Sequence, residues 1–203
     1  MKRILSLLCG LGIVTPFTVA ASDKISASTM SNLQAAFDGE SNAHARYLAF
    51  GEKADAEGYA GVASLFRAAA RAEEIHAGNH AAVIKKFGGV PEAKLEDPVV
   101  NSTRENLAAA IKGETYERDE MYPTFIRQAK SEGNTDALRT FTFARAAEAE
   151  HAKLYIEALQ DPESMKISRI LYVCPVCGFT TPEPVSERCP TCATPKERFE
   201  RVS

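Results

Sequence analysis

The 203-residue chain has no tryptophan, and only 8% of it is aromatic. It has no surplus of positive charge, with 24 Lys and Arg against 27 Asp and Glu, a net of -3. It therefore lacks the field that draws a protein to DNA or RNA. No apolar run approaches the roughly 20 residues that span a bilayer, which argues against stable membrane insertion. Cysteine is scarce and uneven: four of the five fall in two C-x-x-C pairs within the last 30 residues. That is the arithmetic of a metal site rather than of a disulfide framework. The 45% of hydrophobic and 25% of charged residues exclude a disordered or collagen-like chain and suffice for one core with a small accessory module.

The fifth cysteine, Cys9, lies in an N-terminal segment of a different character. Met1-Lys2-Arg3 is a basic start, Ile4 to Val14 is mostly apolar, and Thr15-Pro16 leads into Thr18-Val19-Ala20-Ala21. This reads as a secretory signal over residues 1–21, cleaved after Ala20 or Ala21, with a periplasmic or otherwise exported product. Gly10, Gly12 and Pro16 interrupt the run, which sets it apart from a retained anchor. Loss of Lys2 and Arg3 takes the net charge to about -5, and Cys9 leaves with the peptide.

Residues 22–165 are rich in Ala, Glu, Leu, Arg and Lys, with apolar residues three and four apart, and predict helices near 30–57, 60–87, 103–132 and 135–160. Glu57-Gly58, Gly88-Gly89-Val90-Pro91 and Glu132-Gly133-Asn134 separate them, Ser102 and Glu105 have capping-box spacing, and Pro123 predicts a kink. Two short connections and one long crossover define a ferritin-like four-helix bundle, so the fold class is mainly α. An internal repeat supports it. Ala35 to Ser41 matches Ala109 to Thr115 at an offset of 74, whereas Glu57-Gly58 matches Glu132-Gly133, and Ala72 to His76 matches Ala147 to His151, at 75. Two helical hairpins differing by a single-residue indel would pair Glu40 with Glu114 and Glu73/His76 with Glu148/His151.

The chemistry lies in the phase of those acids. Leu33, Phe37, Glu40, Tyr47; Phe66, Ala69, Glu73, His76, His80; Leu107, Ile111, Glu114, Glu117; and Phe141, Ala144, Glu148, His151, Tyr155 each share the apolar stripe of one helix. Burying an unpaired carboxylate costs several kcal/mol, and no Lys or Arg lies on these stripes. Glu40, Glu73, Glu114, Glu117 and Glu148 with His76 and His151 form a mixed oxygen and nitrogen donor set suited to two iron or manganese ions. Five negative charges against two divalent cations leave -1. His44 and His80 lack counterparts in the other repeat and read as edge residues behind the ligands. Tyr47 and Tyr122 lie seven and eight residues beyond Glu40 and Glu114; they either hydrogen-bond near the site as catalytic candidates or merely fill space.

Residues 166–203 turn to Pro and Cys, with Cys174-Pro-Val-Cys177-Gly178 and Cys189-Pro-Thr-Cys192 separated by eleven residues. Two such knuckles predict one tetrahedral four-thiolate site for iron or zinc.

With these motifs together, the chain resembles the rubrerythrin family across nearly its whole mature length. The resemblance implies a di-iron centre in the bundle, a rubredoxin-type iron at the four cysteines, and reduction of hydrogen peroxide to water with electrons from an unidentified donor. It implies that Glu117 and His76 exchange as ligands of one iron when the redox state changes. It also implies a head-to-tail homodimer in which the cysteine site of one chain serves the bundle of the other. The export signal and His44, where Arg is common, depart from the family pattern. A different reading of the same residues is a ferroxidase or iron-storage protein of ferritin type with a structural zinc ribbon.

Overall fold

The computed structural model describes residues 25–203; the export signal expected over residues 1–21 lies outside them. Helix α1 (Ala27–Ala56) starts at Ser26, whose hydroxyl accepts from Thr29 N at 3.0 Å. Gly58, at φ +82°, turns the chain into α2 (Ala60–Lys86), a tight hairpin that only a residue without Cβ enters freely. The expected capping box is present, with the Ser102 hydroxyl and the Glu105 carboxylate each serving the other's backbone N–H at the head of α3 (Thr103–Tyr116). Asn134 caps α5 (Thr135–Gln160) by accepting from Ala137 N at 2.9 Å.

The third stave is not the single kinked helix expected over 103–132. It is α3, then a π-helical turn over Glu117–Met121, then α4 (Tyr122–Ser131), with Tyr122 N donating to Glu117 O across five residues. The distortion sits immediately before Pro123, which has no N–H to offer Asp119. The long crossover between α2 and α3 has no helix or strand. Its backbone is held along α1 by side chains: Lys94 N donates to Asp38 Oδ1 at 2.6 Å, and Glu96 N to Asn42 Oδ1 at 2.9 Å.

Apolar side chains fill the bundle in two clusters. One contains Tyr47, Phe50, Val62, Phe66 and Tyr155, the other Leu33, Ile84, Tyr122, Phe141 and Ala144. On α1, α2 and α5 the acidic residues lie in sequence between members of the two clusters, so a polar band crosses the waist of an apolar bundle.

The C-terminal module is a three-stranded antiparallel sheet in the order β2-β1-β3, formed by β1 (Leu171–Val173), β2 (Thr180–Thr181) and β3 (Glu200–Val202). It packs on its own bundle. Arg71 grips Glu200 at 2.7 and 3.0 Å, and Asn79 Nδ2 donates to Val176 O at 2.9 Å. Gly61 accepts the connecting segment so closely that a Cβ there would stand 2.6 Å from Ile167 O.

Candidate metal centres

Glu40, Glu73, Glu114, Glu148 and His151 are fully buried, and His76 is 1% exposed. Their ligand atoms form two overlapping groups: Glu40, Glu73, His76 and Glu148, then Glu73, Glu114, Glu148 and His151, each group within 4.8 Å. Glu73 and Glu148 belong to both. The internal repeat explains the pattern, since each half supplies one outer glutamate, one shared glutamate and one histidine. His76 Nδ1 lies 2.8 Å from Glu73 Oε2 and 3.1 Å from Glu148 Oε1; His151 Nδ1 lies 2.9 Å from Glu148 Oε2 and 3.3 Å from Glu73 Oε1.

The outer nitrogens fix the tautomers. His76 Nε2 donates to the Cys177 carbonyl at 3.1 Å, an atom that can only accept. His151 Nε2 donates to Thr180 Oγ1 at 3.1 Å, because that hydroxyl gives its own proton to Gly178 O at 2.9 Å. In the neutral rings both Nδ1 atoms are then bare and face the carboxylates, as metal-ligating histidines require.

Two tyrosines reach from one repeat to the other. Tyr47 on α1 donates to Glu114 Oε1 at 2.6 Å, and Tyr122 on α4 donates to Glu40 Oε1. Both phenols thus hydrogen-bond carboxylates of the two ligand groups. His80 stands behind Tyr122, with Nε2 3.1 Å from the phenol oxygen and Nδ1 3.0 Å from Thr140 Oγ1. His44 Nδ1 bonds Ala70 O at 2.7 Å. Neither histidine belongs to either ligand group among the described residues. Glu117 is half-buried on the π turn and lies outside both groups.

Electrostatics mark the site as built for cations. Burial, reinforced by Glu73, pushes Glu114 up to about 8, and burial with Glu40 and Glu114 raises Glu117. Burial would also raise Glu40, but the imidazoles of His76 and His80 outweigh it and hold that carboxyl low. Glu40 Oε2, Glu73 Oε1, Glu114 Oε2, both oxygens of Glu148 and His151 Nδ1 are buried without a hydrogen-bond partner. Six unsatisfied polar atoms converging on one spot match the donor set of two metal ions.

Cys174, Cys177, Cys189 and Cys192 converge in the same way. The sulfurs of Cys174 and Cys192, and those of Cys177 and Cys189, are 3.5 Å apart, and all four are free thiols. A disulfide would need about 2.05 Å. Sequence reasoning found every member of both clusters and missed Thr180, Thr140 and the Cys177 carbonyl. Thr180 and Thr140 carry no periodic signal, and a backbone atom carries none.

A ferritin-like bundle with two Glu/His half-sites, joined to a four-thiolate module, defines the class of di-iron carboxylate proteins that carry a rubredoxin-type centre. Residues 31–159 match the sequence profile of the rubrerythrin family. The chain is 40% identical over 187 residues to nigerythrin of Nitratidesulfovibrio vulgaris, covering 91% of this chain and 92% of that one. It is also 40% identical over 178 residues to rubrerythrin-2 of Clostridium acetobutylicum, covering 86% and 96% respectively. A solved structure of nigerythrin in its fully reduced, all-ferrous state superposes with a TM-score of 0.81 at 36% identity, covering 98% of this chain and all of that one. The chain belongs to the rubrerythrin family.

Proposed function

We propose that the protein is a peroxidase that reduces hydrogen peroxide to water at a di-iron pair, with electrons entering through iron at the four cysteines. The observation that carries this reading is the hydrogen bond from His76 to Cys177, since it joins a candidate ligand of one centre to a candidate ligand of the other. A ferroxidase with a structural zinc ribbon has no use for such a contact.

Glu40, Glu73, Glu114, Glu148, His76 and His151 would hold the metal pair, and Cys174, Cys177, Cys189 and Cys192 the single ion. Bound there, the pair would supply two electrons for cleaving the O–O bond of peroxide, and iron at the four cysteines would supply single electrons to the pair. The chain does the rest. Tyr47 and Tyr122 each occupy one oxygen of an outer glutamate, which leaves the other oxygen for metal. Burial of the waist between two apolar clusters excludes bulk water. Glu117, half-buried on the π turn and under the influence of Glu40 and Glu114, is the spare carboxylate proposed to exchange with His76.

The head-to-tail homodimer belongs to the same proposal. The module of this chain sits on its own bundle, and exchange of modules about residues 161–170 would remake the His76–Cys177 contact between chains with the same atoms. Mixing Glu148→Ala chains with Cys177→Ser chains tests it: peroxidase activity is regained only where modules are exchanged. Among the described residues no helix is long and apolar enough to cross a membrane. Export is proposed from Lys2-Arg3 and the apolar run that follows, and N-terminal sequencing of the periplasmic protein tests it.

Anaerobic titration of the iron-loaded protein with peroxide decides the main reading. Two electrons should leave the protein for each peroxide consumed. A colourless protein with zinc at the cysteines and no peroxide consumption after chemical reduction overturns it.

A further inference from the structure

Resting on the peroxidase reading, the structure also constrains where its electrons come from. Cys174 and Cys177 are fully buried and Cys189 is 3% exposed, whereas Cys192 is half-exposed. A reductant therefore approaches the thiolate cluster most closely past Cys192. That residue stands in the wall of a groove of about 370 Å³ between module and bundle, with Val176, Phe143, Val83 and Ala82 as its apolar lining. Phe143 and Val176 also pack against the buried cysteines.

The rim of the groove is cationic. Lys86 and Arg139 have side chains 61% and 65% exposed, and they share a single carboxylate, Asp136, at 2.5 and 3.3 Å. A third cation, Arg188, donates to the carbonyl of Ala193, the residue after Cys192, at 3.0 Å. Two cations face one acid among the lining residues, with Arg188 bonded next to Cys192, on a chain whose net charge is -3. Transient redox contacts are small, and their encounter rates are set by complementary charge.

We propose that this groove is the docking site for the electron donor, a small one-electron redox protein whose cofactor edge is apolar and ringed by carboxylates. At each encounter the donor loses one electron and the four-thiolate ferric iron gains it; no bond forms or breaks. Two encounters supply the two electrons that, with two protons from water, convert one peroxide into two waters.

Stopped-flow bleaching of the four-cysteine iron in the full-length, iron-loaded protein tests the site, with reduced flavodoxin, an acidic flavin protein, as probe. The wild-type rate should fall as salt rises. The Lys86→Glu/Arg139→Glu variant should be slower by about tenfold or more at low salt and lose its salt dependence. A small, uncharged photoreduced flavin should bleach variant and wild type equally, which reports an intact metal site. A variant that keeps the wild-type rate and salt slope with flavodoxin overturns the docking site and leaves the peroxidase reading standing. A charge-sensitive reduction followed by no consumption of peroxide does the reverse.

Discussion

His76 Nε2 donates to the backbone carbonyl of Cys177 at 3.1 Å, so a ring aimed at the waist of the bundle touches a residue whose thiol belongs to the other cluster. The approach depends on the next residue. Gly178 has φ +73°, and a Cβ there would lie 2.2 Å from His76 Nε2. Gly178→Ala must therefore push the module away from the bundle. The expected result is a protein that retains iron at both sites but passes electrons between them at least about tenfold more slowly, some 1.4 kcal/mol in barrier. Rapid-mixing reoxidation of the cysteine iron by peroxide measures this; an unchanged rate would remove the contact from the electron path.

Glu148 contributes to both ligand groups, whereas Glu40 and Glu114 contribute to one each. Glu148→Ala should therefore abolish binding of both ions in the bundle and leave the four-cysteine site loaded. Glu40→Ala and Glu114→Ala should each weaken one ion more than the other. Metal analysis alongside the visible spectrum checks the pattern, and loss of all three ions together in Glu148→Ala would contradict the division into two modules.

The tyrosine pair offers a graded comparison. Tyr47→Phe removes one hydrogen bond, to Glu114; Tyr122→Phe removes the bond to Glu40 and also the acceptor of His80 Nε2, whose next partner, Glu40 Oε1, is 3.9 Å away. Removal of a partner that orients a ligand costs about 10- to 100-fold in metal affinity. An orphaned buried donor adds about 1–3 kcal/mol of destabilisation. Tyr122→Phe should therefore lower the melting temperature more than Tyr47→Phe does, although both should loosen metal. Equal melting temperatures would mean that His80 does not depend on Tyr122.

The candidate ligands were legible in the sequence because burial of an acid on an apolar stripe has few physical explanations, and the repeat showed it twice. The repeat also contained the π turn in disguise. Glu40 and Glu114 are 74 apart, whereas Tyr47 and Tyr122 are 75 apart. The extra residue thus falls between Glu114 and Tyr122, where the π turn over Glu117–Met121 absorbs it. Without that turn, Tyr122 would be rotated by about 100° from the phase that reaches Glu40. The docking of the module was not legible. It rests on the Cys177 carbonyl, on Thr180 and on the closeness permitted at Gly61 and Gly178, none of which leaves a periodic trace.

Removal of metal should reverse the pH dependence of stability. In the metal-free chain, Glu114, pushed up to about 8 by burial and by Glu73, holds a proton between about 4.5 and 8 when folded but not when unfolded. Burial would lower His76 and His151, yet the surrounding carboxylates, Glu148 and Glu73 foremost, raise both above the ordinary imidazole range. These groups bind more protons in the folded state, so unfolding free energy falls as pH rises through that window. Glu40 and Glu148 are held low by the imidazoles despite burial, and they act only under acid, where stability drops as pH falls through their lowered values. Metal demands bare carboxylates and bare Nδ1 atoms, so binding expels the protons and tightens as pH rises. Melting temperature should therefore fall from pH 6 to pH 8 after chelation and rise over the same interval in the loaded protein. The same slope in both would mean that the buried acids and imidazoles are not the groups that hold the metal.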